Sequence, residues 1–170
     1  MTNTKTPLPL SLLGSIAALV IAPTVSFAAD ALPKTGTFTG VYGWYGAAGE
    51  TVQVDKDHAV WGGVSTGSFR NDAGNGFIHA SVVKCTFSGE FRKDAVTHNN
   101  GDCVVIDKDG DKASLVWKCT TCPGTGEFQW TGGSGKYAGI TGGGMYFQND
   151  AGPPGAMAGW SVWKGEWKLP

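Results

Sequence analysis

The sequence lacks any cluster of lysine and arginine, and its net charge is small. The 170 residues include 13 basic and 14 acidic side chains, which gives a formal net charge of −1 at pH 7. Nucleic-acid binding depends on clustered basic groups that neutralise phosphates, so we expect no nucleic-acid partner. After residue 30 no apolar run approaches the roughly 20 residues of a membrane-spanning helix, and we expect no membrane span.

Common catalytic and cofactor motifs are missing as well. No G-x-S-x-G elbow is present, because the string G-V-S-T-G at residues 63–67 lies inside a predicted strand and opens no helix. The glycine-rich residues 132–144 follow a predicted strand without opening a helix, so they do not form a phosphate-binding loop. Three aspartates alternate over residues 107–111, but Lys112 and Lys118 stand where a calcium-binding EF-hand loop requires Gly and Glu. The sequence therefore predicts no metal ion and no cofactor.

Residues 1–28 have the three parts of a signal peptide. Lys5 lies near the amino terminus, an apolar run covers residues 8–22, and Ser26 and Ala28 place small side chains at a peptidase site. The apolar run is shorter and more interrupted than a membrane-spanning helix. We expect cleavage after Ala28, a single domain over residues 29–170, and a location in a bacterial periplasm or outside the cell.

The remaining chain is rich in glycine and aromatic residues, with 27 glycines and 7 tryptophans in the whole sequence. Its apolar residues alternate with a period of two, which is typical of strands. This pattern predicts about eight strands, within residues 36–45, 52–54, 58–69, 77–91, 103–107, 112–119, 127–130, 136–147 and 160–169. Residues 71–76 and 92–102 are predicted loops. We expect an all-β fold, a single antiparallel eight-stranded barrel, with a β-sandwich as the alternative.

Residues 130–146, which read WTGGSGKYAGITGGGMY, resemble a hairpin of the allene oxide cyclase-like barrel superfamily, which includes the plant dirigent proteins. The resemblance implies a barrel that binds hydrophobic or phenolic molecules inside. It also implies either ring closure of a fatty-acid epoxide or guidance of phenolic radical coupling, and possible homo-oligomers. No segment matches the pocket residues of either branch, so the resemblance identifies no substrate.

Four cysteines, Cys85, Cys103, Cys119 and Cys122, form an even set in a chain predicted to be exported, which predicts two disulfides. Three pairings are possible, and closeness in sequence favours Cys85–Cys103 and Cys119–Cys122. The second pair has C-x-x-C spacing, but it follows a strand and precedes Pro-Gly instead of starting a helix, so we interpret it as structural and not as a redox or zinc site.

Two groups of side chains are candidates for a functional site. His79 lies within a predicted apolar strand and is a candidate general base, and Glu127 is a candidate partner in catalysis. Aromatic side chains suit apolar or phenolic ligands, and the candidates for lining a ligand cavity are Tyr42, Trp44, Trp61, Trp117, Trp130 and Trp160.

Three functions follow as hypotheses. The leading hypothesis is an exported barrel that binds a small hydrophobic or aromatic molecule in its interior. The alternatives are a cyclase or isomerase that acts by positioning its substrate, and a structural or interaction protein of the cell envelope.

Overall fold

The computed structural model describes residues 32–93, 95–122, 124–153 and 155–170. The predicted signal peptide and its cleavage site lie outside these residues. Within the described residues there are nine strands and one 3-10 turn, at Gly135–Tyr137. The strands are β1 (Thr35–Ala48), β2 (Val52–Asp55), β3 (His58–Asn71), β4 (Ser81–Arg92), β5 (Ala95–Ile106), β6 (Lys112–Thr121), β7 (Thr125–Gly133), β8 (Gly143–Asp150) and β9 (Ala158–Lys168).

Eight of these strands form a closed antiparallel barrel. Each of β3 to β8 pairs with the next strand in sequence, and β1 closes the barrel by pairing with both β9 and β3. The short strand β2 lies outside the barrel and pairs only with the first residues of β3. The predicted eight-stranded barrel is therefore confirmed, and the β-sandwich alternative is excluded.

Three predicted boundaries near the barrel ends are wrong. The strand predicted from residue 136 begins only at Gly143, because residues 135–137 form a 3-10 turn. The strand predicted from residue 77 begins only at Ser81, because Ile78 and Ala80 have positive φ angles of 45° and 55° and residues 77–80 form a turn. Residues 92–102, predicted as a loop, belong mostly to β5. This part of β5 is polar because much of it is partly or fully exposed to solvent, so it carries no apolar alternation.

One end of the barrel is filled by aromatic side chains. The Phe77 and Trp167 rings stack with their centroids 4.2 Å apart. Phe38 contacts both of these rings, and Trp130 contacts Phe77 and Phe38. Tyr137, from the glycine-rich segment after β7, packs edge-on against Phe77 and is almost fully buried. We call this the closed end.

Glycine and aromatic residues pair directly across neighbouring strands inside the barrel. An aromatic ring lies over the glycine of the adjacent strand, where a Cβ atom would collide with it. The register places seven such pairs in the interior: Gly36–Trp167, Phe38–Gly165, Trp44–Gly159, Trp61–Gly89, Gly63–Phe87, Gly101–Trp117 and Gly126–Tyr146. This pairing explains part of the high content of both residue types, since a narrow barrel cannot hold large side chains on every inward position.

No helix among the described residues has the length and apolar character needed to cross a membrane.

Candidate functional site

The end of the barrel opposite the closed end holds a cavity of about 90 Å³. Inward-facing residues of β1 and β3 to β9, together with the segment before β9, form its wall. Four of the predicted ligand-binding aromatics line it: Tyr42, Trp44, Trp61 and Trp117. We call this region the open end.

Strand alternation explains why these four side chains face inward. Tyr42 and Trp44 occupy alternate positions on β1, and their neighbours Val41, Gly43 and Tyr45 are exposed. Trp44, Trp61 and Trp117 each lie opposite an inward glycine on the next strand, which leaves room for the indole against the backbone.

One part of the cavity wall carries a small group of neutral polar atoms. The Tyr42 hydroxyl lies 3.3 Å from Ser65 Oγ and 3.9 Å from Cys85 Sγ. Burial raises the pKa of Tyr42, an effect that the hydrogen bond with Ser65 partly offsets. Burial also raises the pKa of Tyr146, which lines the same cavity. Both tyrosines therefore stay protonated and uncharged at neutral pH.

The cavity wall contains no charged side chain among the described residues. Many of the wall residues are aromatic. Its polar groups are hydroxyls and amides, including those of Ser161, Asn99 and Gln148. Such a lining favours an apolar or aromatic guest, because burying an ion without a partner is costly. It provides no histidine, carboxylate or lysine for proton transfer.

The other two predicted ligand-binding aromatics lie elsewhere. Trp130 belongs to the packed core of the closed end, where its indole N–H donates to the Glu166 carbonyl at 3.1 Å. Trp160 is on the outer surface of β9, with 43% of its side chain area exposed.

The two predicted catalytic residues do not line the cavity either. His79 is part of the 77–80 turn beside the closed end, and within the described residues its buried Nδ1 has no hydrogen-bond partner. Glu127 is on the outer face of β7 and forms an exposed ion pair of 2.9 Å with Lys118. The structure brings neither residue near the predicted aromatics of the cavity, and their catalytic role stays a prediction.

Both preferred cysteine pairs are bonded. Cys85 and Cys103 are register partners on β4 and β5, and their disulfide lines the cavity. Cys119 and Cys122 are joined across the turn between β6 and β7. No free cysteine is found among the described residues.

The glycine-rich segment after β7 is attached to the turn between β5 and β6. The Lys136 ammonium lies 2.6 Å from both Asp107 Oδ2 and Asp109 Oδ2, and the Lys136 amide donates to Asp111 Oδ2. We call these four residues the Lys136 clasp. Gly135 has a positive φ of 56°, which brings the backbone into the left-handed region that glycine tolerates best.

Sequence reasoning missed several cavity residues. The most prominent are Phe87, Leu115, Tyr146, Met157 and Trp163. Alternation along β8 and β9 is the signal that could have identified Tyr146 and Trp163, once the inward face of each strand was known.

No protein-family model, no curated protein and no solved structure matches this chain.

Proposed function

We propose that this protein is an exported barrel that binds a small apolar or aromatic molecule in the cavity at its open end. The observation that carries the proposal is an uncharged, aromatic cavity at one end of a barrel whose other end is filled by aromatic side chains. We expect ligand to enter and leave through the open end.

The size of the cavity limits the enclosed part of the ligand. A dry apolar cavity of about 150 Å³ can hold benzene, so about 90 Å³ accommodates a group no larger than one small ring. Any larger ligand extends out of the open end. The neutral hydroxyls of Tyr42 and Ser65 offer one hydrogen-bonding position on a largely aromatic wall.

Binding is favoured over catalysis by the composition of the wall. A cyclase or isomerase acting here would depend on positioning alone, since the wall offers no group that exchanges protons readily near neutral pH. Export is supported by the two disulfides, which persist in oxidising compartments. Membership of the allene oxide cyclase-like superfamily is part of the same proposal and rests on residues 130–146.

The first test is to purify the protein from its own host and to compare its mass under native and denaturing conditions. A ligand that occupies the cavity appears as a mass excess that disappears on denaturation. The same measurement is made on two variants of neighbouring residues, Ser65→Leu and Thr66→Leu.

These two variants form a matched pair because Ser65 lines the cavity whereas Thr66 is exposed on the outer face. We expect Ser65→Leu to lose the bound mass, because it fills the cavity, and Thr66→Leu to keep it. Loss in both variants, or retention in both, would be incompatible with binding in the cavity.

A further inference from the structure

A slot is present on the outer face of β1 at Gly43. This residue faces outward, and a Cβ atom added to it would meet no other atom within 4 Å. Its φ is not in the left-handed region. Neither packing nor backbone conformation therefore requires glycine here, in contrast to the glycines that lie beneath aromatic rings inside the barrel.

The register places different chemistry on the two sides of the slot. Gly43 pairs with Trp160 of β9 on one side and with Ser68 of β3 on the other. In the next row, Val41 pairs with Val162 and with Arg70. Adjacent strands are about 4.8 Å apart, so the aromatic and polar walls stand about 10 Å apart.

The polar wall has free hydrogen-bonding capacity. Ser68, Arg70 and Asp72 line a groove with Val41 and Gly43, and within the described part of the chain neither Arg70 nor Asp72 forms an ion pair. Their opposite charges offset each other. The groove therefore suits a ligand that is neutral and rich in hydroxyl groups.

The aromatic wall is exposed as well. Trp160 is 43% exposed, and Tyr45, which follows Gly43 by two positions on the same face, is 71% exposed. A six-membered sugar ring has an apolar face of C–H bonds and a polar edge of hydroxyls, which matches the aromatic side and the polar side of this groove. Indole is a suitable surface for the C–H face, and Arg70 and Asp72 are suitable partners for hydroxyls.

We propose that the Gly43 slot binds a neutral glycan built from hexose rings, with one ring stacked on Trp160 and its hydroxyls bonded to Arg70 and Asp72. This site is separate from the cavity, because Val41, Gly43 and Tyr45 face outward where Tyr42 and Trp44 face inward. The surface function is therefore independent of what the cavity binds.

The test is an NMR titration of the isotope-labelled protein with cellohexaose, maltohexaose and chitohexaose, each at millimolar concentration. We expect at least one of these neutral glycans to shift the Gly43 amide and the Trp160 indole N–H while leaving the cavity tryptophans unshifted. The variant Gly43→Val fills the slot and weakens the affinity by about tenfold or more.

Controls separate a blocked site from a damaged fold. Gly43→Val has open space for its side chain, so its unfolding midpoint in urea should be no lower than that of the wild type. Thr86→Val adds the same side chain on the outer face of β4 and should bind the glycan like the wild type.

The proposal is overturned if none of the three glycans shifts these resonances, or if Gly43→Val binds as well as the wild type. It is also overturned if the same resonances shift with protein concentration in the absence of sugar and sedimentation shows a dimer, because a second copy of the chain then covers this face.

Discussion

At the scale of single residues, Lys136 joins two turns that are far apart in sequence. Its ammonium contacts Asp107, whose side chain is only 3% exposed, and the more exposed Asp109. Burial alone would raise the pKa of Asp107, but hydrogen bonds from Lys136, from the Asp109 backbone and from Tyr137 outweigh it, so this pKa is lowered. Hydrogen bonds from Lys136 and Lys108 lower the pKa of Asp109 to about 2. Burial of the Lys136 ammonium would lower its own pKa, but the hydrogen bonds to both aspartates raise it above the usual lysine range.

These shifts determine how the Lys136 clasp responds to acid. Both aspartates have folded-state pKa values below the unfolded value of about 4. Their contribution to the free energy of unfolding is therefore complete above about pH 4 and is lost as the pH falls toward 2.

The variant Lys136→Met leaves the buried Asp107 carboxylate without its cation. We expect a loss of about 2–3 kcal/mol in the free energy of unfolding at pH 7, because an unpaired buried charge is costly. The loss should shrink near pH 3, since Asp107 of the variant is protonated at a higher pH than that of the wild type. Urea denaturation at pH 7 and at pH 3 measures the loss of unfolding free energy under each condition.

The variant Lys136→Arg is the control, since it keeps the positive charge and should retain most of the stability. An equal loss for Lys136→Met at both pH values would contradict the account, because a loss that does not depend on protonation comes from packing and not from the ion pairs.

At the scale of strands, the pairing of glycine with aromatic residues holds neighbouring strands in register. Gly126 of β7 lies opposite Tyr146 of β8, and a Cβ atom on Gly126 would come within 2.3 Å of the tyrosine ring and of the Lys118 carbonyl. The backbone carbonyl cannot move without disturbing the β6–β7 pairing. Glycine is thus required here by contact and not by conformation.

The variant Gly126→Ala should lower the free energy of unfolding by about 2 kcal/mol, which is typical of an overpacked interior. The matched variant Gly43→Ala adds the same methyl group in open space and should be neutral or slightly stabilising, by up to about 1 kcal/mol. The midpoints of urea denaturation of the two variants, each compared with the wild type, measure these changes. Similar losses in both variants would show that the aromatic contacts do not explain the glycines.

Strand alternation accounts for most of what could be predicted from the sequence. The period of two predicted the barrel, and the inward positions of Tyr42, Trp44 and Trp117 agree with it. Alternation identifies the face of a strand but not the level along the barrel axis, and Trp130 therefore faces inward at the closed end and not at the cavity.

Other positions depend on information that local sequence does not contain. On β9 the two faces carry Trp160 and Trp163, respectively, and both are apolar enough to be buried, so only the register with β1 and β8 decides that Trp163 is inside. The apolar neighbours of His79 predict a strand at this position. Those neighbours, Phe77 and Ile78, are indeed buried, but they belong to a turn at the closed end and not to a strand.

At the scale of the whole molecule, the seven tryptophans divide into three environments. Four line the cavity: Trp44, Trp61, Trp117 and Trp163. Trp130 and Trp167 belong to the closed end, and Trp160 is on the outer surface. The indole N–H groups are therefore reporters that distinguish a ligand in the cavity from one bound elsewhere.

The most direct test of the central claim follows these seven indole N–H resonances during an NMR titration with phenol and with p-cresol as single-ring aromatic probes. Binding in the open end predicts that the four cavity tryptophans shift in a saturable manner while Trp130, Trp160 and Trp167 remain unchanged. The absence of saturable shifts with both probes, or shifts dominated by Trp160, would contradict the proposal that the cavity is the binding site.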